Sequence, residues 1–295
     1  MRVSCNRRKF LALTGSAAPS VLLANSESRA PLENSVGLVA ATLAAHQAHR
    51  VQGGIDFLDL PKITKDTLGM RVLDLNTMNL PLLEPRLLEQ FRSEAAKLGV
   101  SLTNLKLNQR GIQIGSKDPE IRAAGLATYR EAIDAAAILG IRWVRPLPTA
   151  EAPDRALMID SLRQLADYAG VLGIQVLVEN FGWLQHAPDS VAKLIAECDC
   201  GLAASPDTGN WADNKVRYLG LEQTFPLAVT CDFKAKTLTK DYEHPAYDLN
   251  RCFQIGWDAG FRGPWCIEHG NPDKEALFRE LLWIRDQLEG WMREA

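Results

Sequence analysis

From residue 35 onward, short apolar runs alternate with longer runs whose apolar residues recur every three to four positions. The first, SVGLVAATL (35–43), reads as a strand or as part of a helix continuing through AAHQAH. FLDLPKITKDTLG (57–69) has helical spacing, with Pro61 tolerated in its first turn and Gly69 as a stop. MRVLDLN (70–76) predicts a strand. LEPRLLEQFRSEAAKLG (83–99) predicts a helix with Leu87, Leu88, Phe91, Ala95 and Leu98 on one stripe, and VSLTNLKLN (100–108) alternates as the next strand. The unit then repeats. Helix 118–140, with Asp118 as N-cap and Pro119 at its first position, leads into strand 141–148. Helices over 156–173, 190–200, 214–226 and 247–260 lead into strands over 174–180, 201–210, 227–233 and 264–270, and helix 274–295 closes the chain.

Helices ending in Leu-Gly or Ala-Gly, followed within a few residues by a β-branched strand, carry the connection typical of parallel sheets. About eight strands and eight helices fill the chain after its first 30 residues, and no linker rich in Pro, Gly or Ser divides them. A single-domain α/β fold, a (β/α)8 TIM barrel over residues 31–295, accounts for this count. A doubly wound sheet is the other arrangement, but its glycine-rich fingerprints, GxGxxG and GxxxxGK[ST], are absent from the sequence.

The first 30 residues follow different rules. Arg7, Arg8 and Lys9 precede an apolar, small-residue run with no acid before Glu27, broken by Thr, Gly, Ser and Pro and too short to span a membrane. Residues 1–30 are read as an export signal, and Asn6-Arg7-Arg8-Lys9-Phe10-Leu11 resembles the twin-arginine type, with Asn6 where Ser or Thr is usual. The expected partner is the twin-arginine export machinery and the expected location periplasmic or otherwise exported. Cleavage near Ala24 would remove Arg2, Arg7, Arg8 and Lys9 and no acid, taking the formal charge from -3 to -7. An acidic mature chain of 46% hydrophobic residues argues against nucleic acid as a partner and against disorder. Oligomer formation is compatible with such a barrel. The six cysteines show no CxxC spacing and read as thiols in or near the core.

Active sites of such barrels lie at the C-terminal ends of the strands. There, the fifth strand ends in Glu179-Asn180, the sixth in Asp207, the seventh in Asp232 and the eighth in Glu268-His269. Asp74, Asn76, Lys106, Asn108 and Arg145 end earlier strands. Four carboxylates at one mouth need positive charge among them, and a hard divalent cation such as Mg²⁺ or Mn²⁺ suits oxygen ligands. Any one of these acids also suits a wet strand end, and Asp207 in SPDTGN suits a turn.

VLVENFG (176–182), ASPDTGN (204–210) and CIEHG (266–270) resemble the metal-site strands of the xylose isomerase-like barrels, and residues 58–76 resemble that family's first helix and second strand. The resemblance runs from about Leu58 to Trp291. It implies an isomerase or epimerase acting on a small-molecule sugar or sugar phosphate, with a divalent ion held by Glu, Asp, His and Glu from strands five to eight. Carried onto this chain, the ligands are Glu179, Asp207, Asp232 and Glu268, with Asp232 where the histidine belongs. Asn210 stands where some members place a further histidine. Glu179 and Glu268 become the proton-transfer pair, and Asn180, Arg145, Asn210, Lys234 and His269 candidates for substrate contact. The family's DNA-repair endonuclease branch needs a histidine-rich mouth, and of five histidines only His269 ends a strand. The alternative is a non-catalytic exported carbohydrate-binding protein on the same barrel with a degraded metal site; Trp183, Trp211, Phe233 and Trp257 are expected along a sugar cleft under either reading and do not separate the two.

Overall fold

The computed structural model describes residues 32–80 and 84–295. The expected signal over residues 1–30, with its arginine pair, lies outside the described residues. Eight parallel strands form one sheet among the described residues: β1 (Val36–Val39), β2 (Val72–Asn76), β3 (Ser101–Leu107), β4 (Trp143–Pro146), β5 (Gln175–Val178), β6 (Ala203–Ala204), β7 (Cys231–Lys234) and β8 (Trp265–Glu268). Each strand pairs with its neighbour in the chain from β1 to β6, and β8 lies between β1 and β7. β6 meets β7 through the isolated bridges Ala204–Ala228 and Asp207–Asp232, which brings the sheet round on itself.

The helices between strands are α1 (Leu60–Lys62, continuing as a π turn over Ile63–Thr67), α2 (Pro85–Lys97), α3 (Pro119–Ile138), α4 (Arg155–Val171), α5 (Ser190–Cys198), α6 (Asn214–Thr224), α7 (Leu249–Asp258) and α8 (Lys274–Glu294). Sequence and structure agree on the (β/α)8 barrel and differ in detail. The ambiguous segment at 35–43 is a strand followed by a 3-10 turn over Ala40–His46, and the sixth strand shrinks to two residues. Aspartates open five helices: the side chains of Asp118, Asp154, Asp213, Asp248 and Asp273 each accept a hydrogen bond from a backbone N–H of the first turn. These bonds satisfy donors that the helix leaves free and place negative charge at the positive end of the helix dipole.

Strand alternation sorts side chains into two environments. Leu73, Leu75, Leu105, Leu107, Val144, Phe233, Trp265 and Ile267 join the main apolar layer between sheet and helices, where Phe233 packs on Trp265 and on Trp291 of α8. Val39, Val72 and Cys266 belong to a smaller cluster with Leu32, joined by Trp143. The inward positions nearer the C-terminal ends are polar or charged: Asp74 on β2, Asn104 and Lys106 on β3, Arg145 on β4, and Asp232 and Lys234 on β7. Two of the aromatic residues expected along a sugar cleft are core residues instead. Phe233 is fully buried, and Trp211 is buried against Gly220, where an added Cβ would lie 2.4 Å from its ring.

The loop after β5 crosses the loop after β4 at Gly182, which has φ +55°. A Cβ there would lie 1.9 Å from the Thr149 carbonyl oxygen, so both the backbone angle and the space require glycine. Cys198, Cys200, Cys231, Cys252 and Cys266 are free thiols. No helix among the described residues is long and apolar enough to cross a membrane.

Candidate active site

Glu179 directly follows β5, Asp207 lies three residues beyond β6, and Asp232 is the second residue of β7, which ends at Lys234 and not at Asp232 as expected; the three carboxylates come together there. All three are buried, and each offers an oxygen within 4.8 Å of the others. Asp207 is the most firmly oriented. Its Oδ1 accepts from the backbone N–H groups of Gly209 (2.6 Å) and Asn210 (3.0 Å), and its Oδ2 accepts from Lys234 Nζ at 3.1 Å. Its own backbone is gripped by the side chain of Asn180, which donates to the Asp207 carbonyl and accepts from the Asp207 N–H, both at 2.8 Å. Burial pushes the Asp207 carboxyl up to about 6 against the pull of Lys234.

Three protein cations stand among the acids. Arg145 Nε lies 2.6 Å from Glu179 Oε2, and both side chains are buried. Lys106 Nζ is in contact with Asp232 Oδ2 and 3.9 Å from Glu268 Oε2. Lys234 Nζ lies 2.9 Å from Glu268 Oε1 and donates to Asn210 Oδ1 at 3.0 Å. Asn210 in turn donates to Glu179 Oε1 at 2.8 Å, so the acids, cations and amide form one connected network. Burial alone would lower the Lys106 pKa, but the field of Asp232, Glu268, Asp74 and Glu179 outweighs it, and the ammonium stays charged. Burial acts on Glu268 in the opposite sense, and Lys234, then Lys106 and Arg145, bring its carboxyl below the usual range. Burial pushes Asp232 well up, with Lys106 opposing and the neighbouring acids adding to the rise.

The backbone around Lys234 is fixed from three sides. Its N–H donates to Thr208 Oγ1 at 2.9 Å, and its carbonyl accepts from Thr208 Oγ1 at 3.1 Å and from the Tyr247 hydroxyl. A Cβ on Gly209 would lie 2.5 Å from Lys234 Cδ, so glycine at that position makes room for the lysine stem.

The structure separates the residues expected to touch substrate. Arg145, Asn210 and Lys234 are in the network. Asn180 lies behind it, with its amide used on the Asp207 backbone. His269 sits between sheet and helix: its Nδ1 pairs with the Ala235 carbonyl at 2.8 Å and its Nε2 with Glu280 of α8 at 2.7 Å. Of the four expected ligands, Glu268 is not in the close triad and is a quarter exposed, turned toward the two lysines. Lys106 is the residue whose importance sequence reasoning understated. Its signal was present in VSLTNLKLN, where Leu105 and Leu107 claim the outer face and leave Lys106 inward.

A hard divalent ion needs oxygen donors. Glu179 Oε2 and both Asp232 oxygens are buried without a hydrogen-bond donor among the described residues, although Arg145 and Lys106 lie at ion-pair distance. These carboxylates are ligands of the right chemical type for a hard ion, with Glu179 Oε2 and Asp232 Oδ2 already facing Arg145 and Lys106. A cavity of about 470 Å³ opens on the same rim, between Gln109–Gly111, Pro148–Thr149 and Phe181, but the charged network does not line it.

A family model described as "Xylose isomerase-like TIM barrel" matches residues 65–294. The chain belongs to this family. Within it, L-ribulose-5-phosphate 3-epimerase UlaE of Salmonella typhimurium is 25% identical over 219 residues, covering 69% of this chain and 76% of that protein. Among solved structures, D-psicose 3-epimerase of Clostridium cellulolyticum superposes with a TM-score of 0.67 at 15% identity, covering 87% of this chain and 98% of that one. A xylose isomerase-like barrel of Mycobacterium smegmatis in complex with magnesium superposes with a TM-score of 0.61 at 18% identity, covering 88% of this chain and 97% of that one. In this xylose isomerase-like barrel, the position where the sequence resemblance expects histidine carries Asp232, and Lys106 supplies the charge that neutralises it.

Proposed function

We propose that this chain is a sugar or sugar-phosphate isomerase or epimerase that moves a proton at a carbon next to a carbonyl. The observation that carries the reading is the pair Glu179 and Glu268, at the ends of β5 and β8, joined through Asn210 and Lys234, with Arg145 on Glu179. The similarity to an L-ribulose-5-phosphate 3-epimerase supports the substrate class.

Glu268 is the base. Its carboxyl is kept ionised by the lysines, and it is the more open of the two glutamates. It takes the C–H proton while the bonding electrons move onto the carbonyl oxygen, giving an enediolate. Lys234 and Lys106 oppose the charge that develops there, Lys106 from a fully buried position where water screens little. Glu179, held by Arg145 and Asn210, passes a proton drawn from solvent to the other side, Glu268 gives the proton it took to solvent as product leaves, and the face or carbon that receives the proton decides between epimer and isomer. When bound, a divalent ion such as Mg²⁺ or Mn²⁺, held by Glu179, Asp207 and Asp232, supplies polarisation of neighbouring sugar oxygens.

The test is proton exchange. The full chain, incubated in D2O with ketoses, aldoses and their phosphates, is expected to place deuterium at the carbon next to the carbonyl of at least one of them, seen by NMR. Absence of exchange across that panel, with and without added Mg²⁺ or Mn²⁺, would overturn the reading.

Export belongs to the same proposal, on the strength of Asn6-Arg7-Arg8-Lys9-Phe10-Leu11 and the small-residue run behind it. With Arg7 and Arg8 both changed to Lys, the chain is expected to stay in the cytoplasm of a bacterial host. Undiminished appearance in the periplasmic fraction would rule out the twin-arginine route.

A further inference from the structure

We propose that Lys106, assisted by Lys234, is a built-in counter-cation that takes over the part of a divalent ion in this barrel. An added ion then binds only in competition with it. The mechanistic half of this inference rests on the isomerase reading; the binding half stands without it.

Four carboxylates, Glu179, Asp207, Asp232 and Glu268, face three cations, Lys106, Lys234 and Arg145. The protein's own cations therefore already offset most of the negative charge of these acids, where a divalent ion brings two further positive charges. The cations also occupy the oxygens that such an ion needs. Lys106 touches Asp232 Oδ2, Lys234 is on Asp207 Oδ2, and Arg145 is on Glu179 Oε2. An ion seated in the triad must either displace these groups or lie beside them.

Displacement is least available to Lys106. Its side chain is 1% exposed at the end of β3, inside the sheet, so its ammonium has no path to solvent comparable to that of a surface lysine. Asp74, from β2, adds to the field that holds it in place. Lys234 is 23% exposed and can turn outward, but Glu268 and Asn210 would lose a partner when it did. A buried ammonium next to a bound divalent ion is a like-charge contact in a medium that screens poorly. The same ammonium, left in place, stabilises a developing oxyanion with no ion present.

The experiment is Mn²⁺ binding by the metal-stripped full chain, followed by electron paramagnetic resonance of the free ion. The wild type is expected to bind Mn²⁺ with no affinity better than millimolar. Lys106→Met, which keeps the length of the stem and removes the charge, is expected to bind at least about 100-fold more tightly, as removal of a buried like charge implies. Adding Asp207→Asn to that variant is expected to abolish the gain, which places the ion in this site. A wild type that takes up one Mn²⁺ at micromolar concentration, or a folded Lys106→Met with no gain, overturns the proposal.

Should Lys106→Met not fold, the wild type decides. Its melting temperature is expected to change by less than about 1 °C in millimolar MnCl2 or EDTA, because a ligand that scarcely binds scarcely stabilises. A rise of several degrees with MnCl2 overturns the inference. These readings need no substrate, so a failure of the isomerase reading shows in the exchange assay and not here.

Discussion

Glu179→Gln is expected to lower substrate C–H exchange by about 10²–10⁴-fold, the range typical of a lost general acid or base, while the barrel stays folded. Glutamine keeps the size of the side chain and one acceptor oxygen for Arg145, but its amide then faces the donating Asn210 Nδ2, so one hydrogen bond is lost together with the charge. Glu268→Gln is expected to lose exchange by a similar factor, because Glu268 is the ionised, more open carboxylate and neither lysine can replace it as a base. The pair is read by NMR in D2O alongside melting temperature. Retained exchange in Glu179→Gln with loss in Glu268→Gln would demote Glu179 to a structural partner of Arg145. Exchange retained in both would remove the proton-transfer pair from the mechanism.

Arg145→Leu carries the second large effect, this time on stability. Arg145 and Glu179 are 3% and 2% exposed, and removing the guanidinium leaves a buried carboxylate without its cation. Breaking a buried pair from one side costs about 3–5 kcal/mol, whereas replacing both partners with apolar groups costs far less. Urea unfolding at pH 7 is therefore expected to show a loss of about 3–5 kcal/mol in Arg145→Leu and recovery of most of it in Arg145→Leu/Glu179→Leu. A single-variant loss below about 1 kcal/mol would mean that Glu179 does not depend on Arg145.

The architecture was legible because each unit repeats the same switch of period. The outer faces of the strands, such as Leu105, Leu107, Phe233 and Ile267, are apolar enough to stand out, and Leu-Gly helix ends punctuate the chain. The acids were legible for the same reason, since each follows an apolar run to a strand end. Residues next to them were harder to place. His269 follows Glu268 directly, and strand alternation turns it toward α8 and Glu280 instead of the mouth. Asn180 follows Glu179 and faces the backbone of β6, because the loop bends there. The positive charge at the mouth was assigned to an ion on the strength of the acids. Two buried cations, Lys106 and Arg145, and the partly exposed Lys234 were in the same sequence, but only a closed sheet shows that strands three, four and seven aim at one point.

The short sixth strand matters for motion as well as shape. Where β6 faces β7, the wall is held by scattered bonds: Val229 N–H to the Ala204 carbonyl, Asp232 N–H to the Pro206 carbonyl and Thr208 N–H to the Asp232 carbonyl. Local opening follows the stretch with the fewest cooperative bonds. Parting this seam pulls Asp207 away from Asp232 and weakens the grip of Thr208 on Lys234, so breathing of the wall and loosening of the charged network are one event. The barrel thus closes on itself through the same residues that hold its charged network together.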